Sequence, residues 1–110
     1  VWVEEPGVPS VPAVVRLNGG VPVPVGVDTE GLDVDAGERL APQARIVVVT
    51  PSHQYPLGCA MSLARRLQLL QWAQRTGAWI VEDDYDGEFR YQGRPLGSLQ
   101  SLDTSGLVLY

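Results

Sequence analysis

Two short runs of mostly β-branched apolar residues, Arg45-Ile46-Val47-Val48-Val49-Thr50 and Ala78-Trp79-Ile80-Val81, constrain this chain more than any other feature. Each is too short for a stable helix, and unbroken apolar character is the mark of a strand covered on both faces. Between them lie a proline-bearing loop, Ser52 to Ala60, and a stretch of helical period from Ser62 to Thr76. Ser62 is a good N-cap, Leu63, Leu67, Leu70 and Ala73 recur on one helical face, and Gly77 suits the position just past the helix end. Strand, helix and strand in this order form a βαβ unit, long enough for a right-handed crossover between parallel strands. The expected fold class is therefore α/β, with a mainly parallel sheet and flanking helices. Ligands of such sheets sit beyond the carboxyl ends of the strands. Two polar clusters occupy those ends, Thr50 to Gly58 and Glu82 to Glu88.

The remaining segments are weaker signals. Val1-Trp2-Val3-Glu4 reads as a strand entering a turn at Pro6-Gly7. Val11 to Leu17 fits a short helix, with Pro12 near its start and Asn18-Gly19-Gly20 to end it. Val21 to Val27 alternates Val with Pro and Gly and is at best an edge strand, because proline cannot donate to a ladder. Asp28 to Glu38 reads as loop, with one helical turn near Asp35 to Leu40. Trp72 and Trp79 are expected in the core. The chain opens on Val1 rather than Met and stops in the apolar run Gly106-Leu107-Val108-Leu109-Tyr110, which reads as an unfinished strand. The 110 residues are thus expected to be one piece of a larger domain, with sheet edges and apolar faces left to self-associate.

Charge narrows the partners. All eight basic residues are arginine, and 13 acids leave a net charge of −5. Such a surface repels phosphate backbones and anionic lipid, so this stretch is not expected to hold nucleic acid or membrane by itself. The single cysteine, Cys59, can form neither an internal disulfide nor a zinc cluster. No apolar run approaches the roughly 20 residues of a membrane span. The expected location is the cytoplasm.

The acidic cluster is the most unusual feature. Glu82, Asp83, Asp84 and Asp86 repel one another unless a cation or hydrogen bonds compensate. An EF-hand is excluded, since Gly93 stands where the closing Glu belongs. Magnesium held by Asp83 and Asp84, or a solvated turn capping local backbone, both remain open. No phosphate-binding glycine loop and no nucleophile elbow is present. His53, the one histidine, and Cys59 read more simply as loop and packing residues than as base and nucleophile.

The strings Thr50-Pro51-Ser52-His53-Gln54-Tyr55-Pro56-Leu57-Gly58 and Val81-Glu82-Asp83-Asp84-Tyr85-Asp86-Gly87-Glu88-Phe89-Arg90-Tyr91 resemble segments of the aminotransferase-like domain of MocR-type regulators, a branch of the GntR transcription factors. Val3-Glu4-Glu5-Pro6-Gly7 and Met61-Ser62-Leu63-Ala64-Arg65-Arg66 extend the resemblance over nearly the whole chain. It implies that residues 1–110 are part of the large domain of a fold-type-I, pyridoxal 5′-phosphate (PLP)-dependent aminotransferase-like fold. It also implies a winged-helix DNA-binding domain upstream, a dimeric parent and an amine or amino-acid effector. In the related enzymes an Asp at a strand end pairs with the pyridine nitrogen of PLP and a nearby Tyr touches its phenolic oxygen. The match places these at Asp83 and Tyr85, although the wider spacing usual in aminotransferases selects Glu82 in place of Asp83. Tyr55 falls where those enzymes carry an Asn that bonds the phenolic oxygen; Tyr55 itself, His53 or Gln54 can take over that contact. The lysine that carries PLP in the family has no counterpart here, because the chain has no lysine. No catalytic residue is therefore assigned, and this stretch alone is expected neither to catalyse transamination nor to hold PLP stably. The alternative to a regulator is a piece of a catalytic fold-type-I aminotransferase.

Overall fold

A computed structural model of the chain describes residues 1–52, 54–83, 106 and 108–109. The chain runs through β1 (Trp2–Glu5), α1 (Ser10–Leu17), β2 (Val23–Asp28), β3 (Gly31–Leu32), α2 (Val34–Leu40), β4 (Ile46–Val49), α3 (Leu63–Thr76), β5 (Trp79–Glu82) and β6 (Val108–Leu109). The strands form one sheet in the order β3-β2-β1-β4-β5-β6. Every neighbouring pair is parallel except β2 and β3. The βαβ unit expected from the two apolar runs is present: β4 and β5 pair in parallel from Ile46 opposite Trp79 to Val49 opposite Glu82, joined by α3.

The ends of α3 are set by local chemistry. Ser62 Oγ accepts from the backbone N–H of Arg65 at 3.1 Å. Gly77 closes the helix at φ 73°, a left-handed conformation that glycine adopts without steric cost. The buried face differs from the one its leucines suggest. Leu63 and Leu67 are about half exposed, whereas Arg66, Leu69, Leu70, Trp72 and Ala73 are buried. Two contacts fix this rotation. The Trp72 ring stacks on Trp2 with centroids 4.1 Å apart. The Arg66 guanidinium donates to the carbonyls of Met61 at 2.8 Å and Pro51 at 3.0 Å.

Trp2 is the centre of the core. Its indole Nε1–H donates to Ala41 O at 3.0 Å. The helix α2 lies directly on its ring at Gly37, where a Cβ would stand 2.8 Å from the indole. Around it pack Val25, Val47, Val49, Leu69 and Ile80. The expected single turn near Asp35 is in fact the two-turn α2, capped by Asp33, whose carboxylate accepts from Ala36 N–H.

Two further expectations need correction. Trp79 is 43% exposed, because strand alternation turns Ile80 into the core and Trp79 to the other face. On that face Ile46 and Leu109 are also exposed, and only α1 lies against it among the described residues. The proline-bearing β2 is not a pure edge strand, since β1 and β3 flank it. The prolines are tolerated for a local reason. Val23 N–H donates to Val1 O, and donors toward one neighbour alternate, so the Pro24 nitrogen faces the other side. There β3 pairs only with Val27 and Asp28, and no ladder bond is lost.

Candidate functional site

The sheet order contains a topological switch. From β1 the chain passes to β2 on one side, whereas β4 enters on the other side of β1. The crevice at the carboxyl ends of β1 and β4 is where open α/β sheets take their ligands. Glu4 from β1, Thr50 at the end of β4 and Asp83 at the end of β5 stand at this point.

Glu4 is buried, and its Oε1 accepts from Thr50 Oγ1 at 2.6 Å. Oε2 has no hydrogen-bond partner among the described residues. Burial pushes the Glu4 carboxyl above the usual glutamate range; the bonds from Thr50 and Gln54 oppose that shift, and the negative charge of Asp83 adds to it. Asp83 therefore lies within electrostatic reach of Glu4. Its backbone N–H donates to Val49 O at 2.8 Å, which continues the β4–β5 ladder one residue beyond the strand. Alternation separates the two acids that compete for the strand-end role: Glu82 is buried beside the core and Asp83 is half-buried at the rim.

The loop after β4 is tied down at both ends and in the middle. Arg66 holds the Pro51 and Met61 carbonyls, and Met61 N–H also donates to Pro51 O at 2.7 Å. In the middle sits Gln54, only 2% exposed. Its Nε2 donates to Pro6 O at 2.7 Å and lies 3.5 Å from Glu4 Oε1, while its Oε1 accepts from Leu57 N–H at 3.1 Å. Both ends of the amide are engaged within the protein. Tyr55, the next residue, is 43% exposed on the turn that Gln54 closes. His53 and Tyr85, with Asp84 and Asp86, lie outside the described residues. Among the described residues no three His, Cys, Asp or Glu side chains gather closely enough to hold a metal.

Sequence patterning missed Glu4 and Arg66 as buried polar residues. The available signal was weak: an acid at the end of a short apolar run, and an arginine at helical spacing from Leu69, Leu70 and Ala73.

The fold and this crevice define an α/β domain of the aminotransferase kind. The family model for aminotransferase class I and II matches residues 1–102, and the chain belongs to that family. Over 109 residues, 99% of the chain, it is 46% identical to the probable rhizopine catabolism regulatory protein MocR of Rhizobium meliloti. It is 38% identical over 109 residues to the pyridoxine biosynthesis transcriptional regulator PdxR of Corynebacterium glutamicum. The chain spans 22% and 23% of these two relatives. The kynurenine aminotransferase of Pyrococcus horikoshii, solved in complex with PMP, superposes with a TM-score of 0.85 at 29% identity, over 97% of this chain and 28% of that one. The resemblance to MocR-type regulators and the fold-type-I aminotransferase fold both hold.

Proposed function

We propose that this chain is part of the PLP-binding, aminotransferase-like sensing domain of a MocR/GntR-type transcriptional regulator. Residues 1–110 belong in this reading to the large domain, and a winged-helix domain elsewhere in the protein, upstream of this stretch, meets DNA. The observation that carries the reading is the 46% identity to a MocR regulator across 99% of the chain, against 35% identity over 80% of it for an aromatic-amino-acid aminotransferase of Thermococcus litoralis. That contrast favours a regulator over a piece of a catalytic aminotransferase. The protein acts in the cytoplasm as a dimer, and its effector is an amine or amino acid presented to the cofactor.

The donor set fits the nitrogen end of a pyridoxal ring. That end requires one carboxylate at a strand terminus, and Asp83 supplies it at the rim of the β1–β4 crevice while Glu82 is turned inward. Bound PLP acts as an electron sink for an attached amine. With PLP bound, Asp83 would accept the ring N–H and hold that proton in place; Tyr55 and Tyr85 would donate toward the phenolic oxygen, with His53 close by in sequence.

PLP titration into the full-length protein and its Asp83→Asn, Asp84→Asn and Asp86→Asn variants, followed by cofactor absorbance, tests the assignment. Asp83→Asn is expected to weaken binding most, since a charge pair stripped of one partner costs about 3–5 kcal/mol when buried and less at a rim. A larger loss from Asp84→Asn moves the register by one residue. Three variants that bind like the parent sink the acidic-turn assignment.

A further inference from the structure

We propose that Glu4 is held as a neutral carboxylic acid in the PLP-free protein and gives its proton to solvent when PLP binds, so that cofactor affinity is linked to pH through this one side chain. This rests on the PLP reading above and goes one step beyond it. The geometry is that of an acid built to carry a proton. Glu4 is 8% exposed, and the side-chain donors that approach it, Thr50 Oγ1 at 2.6 Å and Gln54 Nε2 at 3.5 Å, converge on Oε1. Oε2 receives no donor among the described residues. The small cavity that Glu4 and Thr50 line adds no countercharge, since its other walls are Val3, Val8, Val11 and Val48. A carboxylate buried this way leaves one charged oxygen without a hydrogen bond. A neutral acid leaves only an O–H, which is far less costly to bury.

The charge that responds to a ligand stands across one strand. Val3 pairs with Val48, and Val49 O accepts the Asp83 N–H, so Glu4 and Asp83 flank the same end of β4. Two strand spacings, roughly 10 Å, separate their backbones. That is about a Debye length at the surface, but a buried group is screened much less. The negative charge of Asp83 adds to burial in holding the Glu4 proton. The other acids of this corner are Glu82, buried opposite Val49 on β5, and Glu5, exposed beside Glu4 on β1. His53 lies outside the described residues. A pyridinium seated on Asp83 cancels its negative charge, and the Glu4 carboxylate is then favoured. Its proton passes to the buffer. By linkage, PLP binds more tightly as pH rises through the range in which Glu4 is protonated without PLP and ionised with it.

In the full-length protein, PLP dissociation constants are measured from pH 5 to 8 for the parent, Glu4→Gln, Thr50→Val and Asp83→Asn. Infrared difference spectra on PLP addition are recorded for the parent and Glu4→Gln. PLP, Asp83 and His53 titrate in both of these proteins, so the difference between their two pH profiles reports Glu4. Affinity in the parent is expected to rise with pH about tenfold more than in Glu4→Gln, which corresponds to a tenfold change in the proton affinity of one site. The parent is also expected to lose a protonated-carboxyl C=O band on PLP binding, and Glu4→Gln is not. Thr50→Val takes a donor from the carboxylate and is expected to move the rise to higher pH. Parallel profiles for the parent and Glu4→Gln overturn the proposal, as does a carboxyl band that PLP leaves unchanged or that Glu4→Gln loses equally. If Glu4→Gln does not fold, Thr50→Val decides, and a profile coinciding with the parent's overturns it. If neither folds, the parent's carboxyl band decides alone. Asp83→Asn reports separately: if it leaves PLP affinity unchanged, the ring-nitrogen assignment fails, while the parent and Glu4→Gln profiles still decide the Glu4 proton.

Discussion

At the scale of single residues, the site rests on buried polar groups whose partners come from distant parts of the chain. Glu4 takes its hydrogen bond from Thr50, 46 residues away, and carries a carboxyl pushed upward by burial and by Asp83. The sign of its effect on stability follows from proton linkage. Because the folded state holds the Glu4 proton more tightly than the unfolded chain, stability is unaffected below the ordinary glutamate value of 4.5 and falls as pH rises above it, until the raised folded value is passed. Replacing Glu4 with Gln removes that loss. Urea midpoints at pH 4 are expected to match for parent and Glu4→Gln, with the variant pulling ahead toward pH 7; a gap of equal size at both pH values counts against a titrating Glu4. Asp28 has the opposite sign. The Arg65 guanidinium, at 3.0 Å, holds its carboxyl below the ordinary value, so its contribution is present at neutral pH and fades in acid. With Asp28 well exposed, that contribution is small.

At the scale of elements, α3 shows how a polar anchor can override an apolar pattern. Its leucines at 63 and 67 suggest one inward face, but Arg66 and Trp72 rotate the helix so that these two lie outside. Replacing Arg66 with Met leaves the Met61 and Pro51 carbonyls without this donor, and hydrogen bonds to charged groups are worth about 1.5–3 kcal/mol each. Chemical denaturation of the chain is expected to show a loss of about 3 kcal/mol for Arg66→Met, against less than about 0.5 kcal/mol for Leu67→Gln. The reverse order restores the leucine face. The same arginine holds both ends of the loop that carries Gln54 and Tyr55, so this element's packing and the site's geometry share one side chain.

At the scale of the whole molecule, the two faces of the sheet differ among the described residues. Val47, Val49, Ile80 and Val108 are buried in the core that also holds Val34 of α2 and Leu69 and Trp72 of α3, whereas Ile46, Trp79 and Leu109 are exposed on the opposite face, where α1 is the covering helix among the described residues. Parallel sheets are stable when both faces are buried, and a contiguous apolar surface invites association. The 110-residue chain is therefore expected to self-associate through this face or a sheet edge. Sedimentation velocity over a range of concentrations checks it; a monomer at every concentration, with Trp79 fluorescence unchanged, rules it out.

The order and direction of the central elements were written in the sequence, because they depend on local patterns. The β-branched runs at Ile46 and Ile80, the Ser62 cap and Gly77 each act within a few residues and pointed to parallel strands joined by one helix. The strings around Tyr55 and Asp83 likewise carried the family, since they lie unbroken along the chain. Tertiary structure decided what depends on partners far apart in sequence. It chose the buried side of α3 through Trp2 and the Pro51 carbonyl, and turned Trp79 outward by strand alternation against a core on one side. It let Pro24 sit inside a sheet because the missing donor faces no partner. Above all it joined Glu4, Thr50 and Gln54, which nothing in the sequence paired with one another, at the point where the strand order reverses. A buried hydrogen bond between residues 46 or 48 apart leaves no period or motif to read, because either partner alone is indistinguishable from a solvated side chain until the fold removes the water around it.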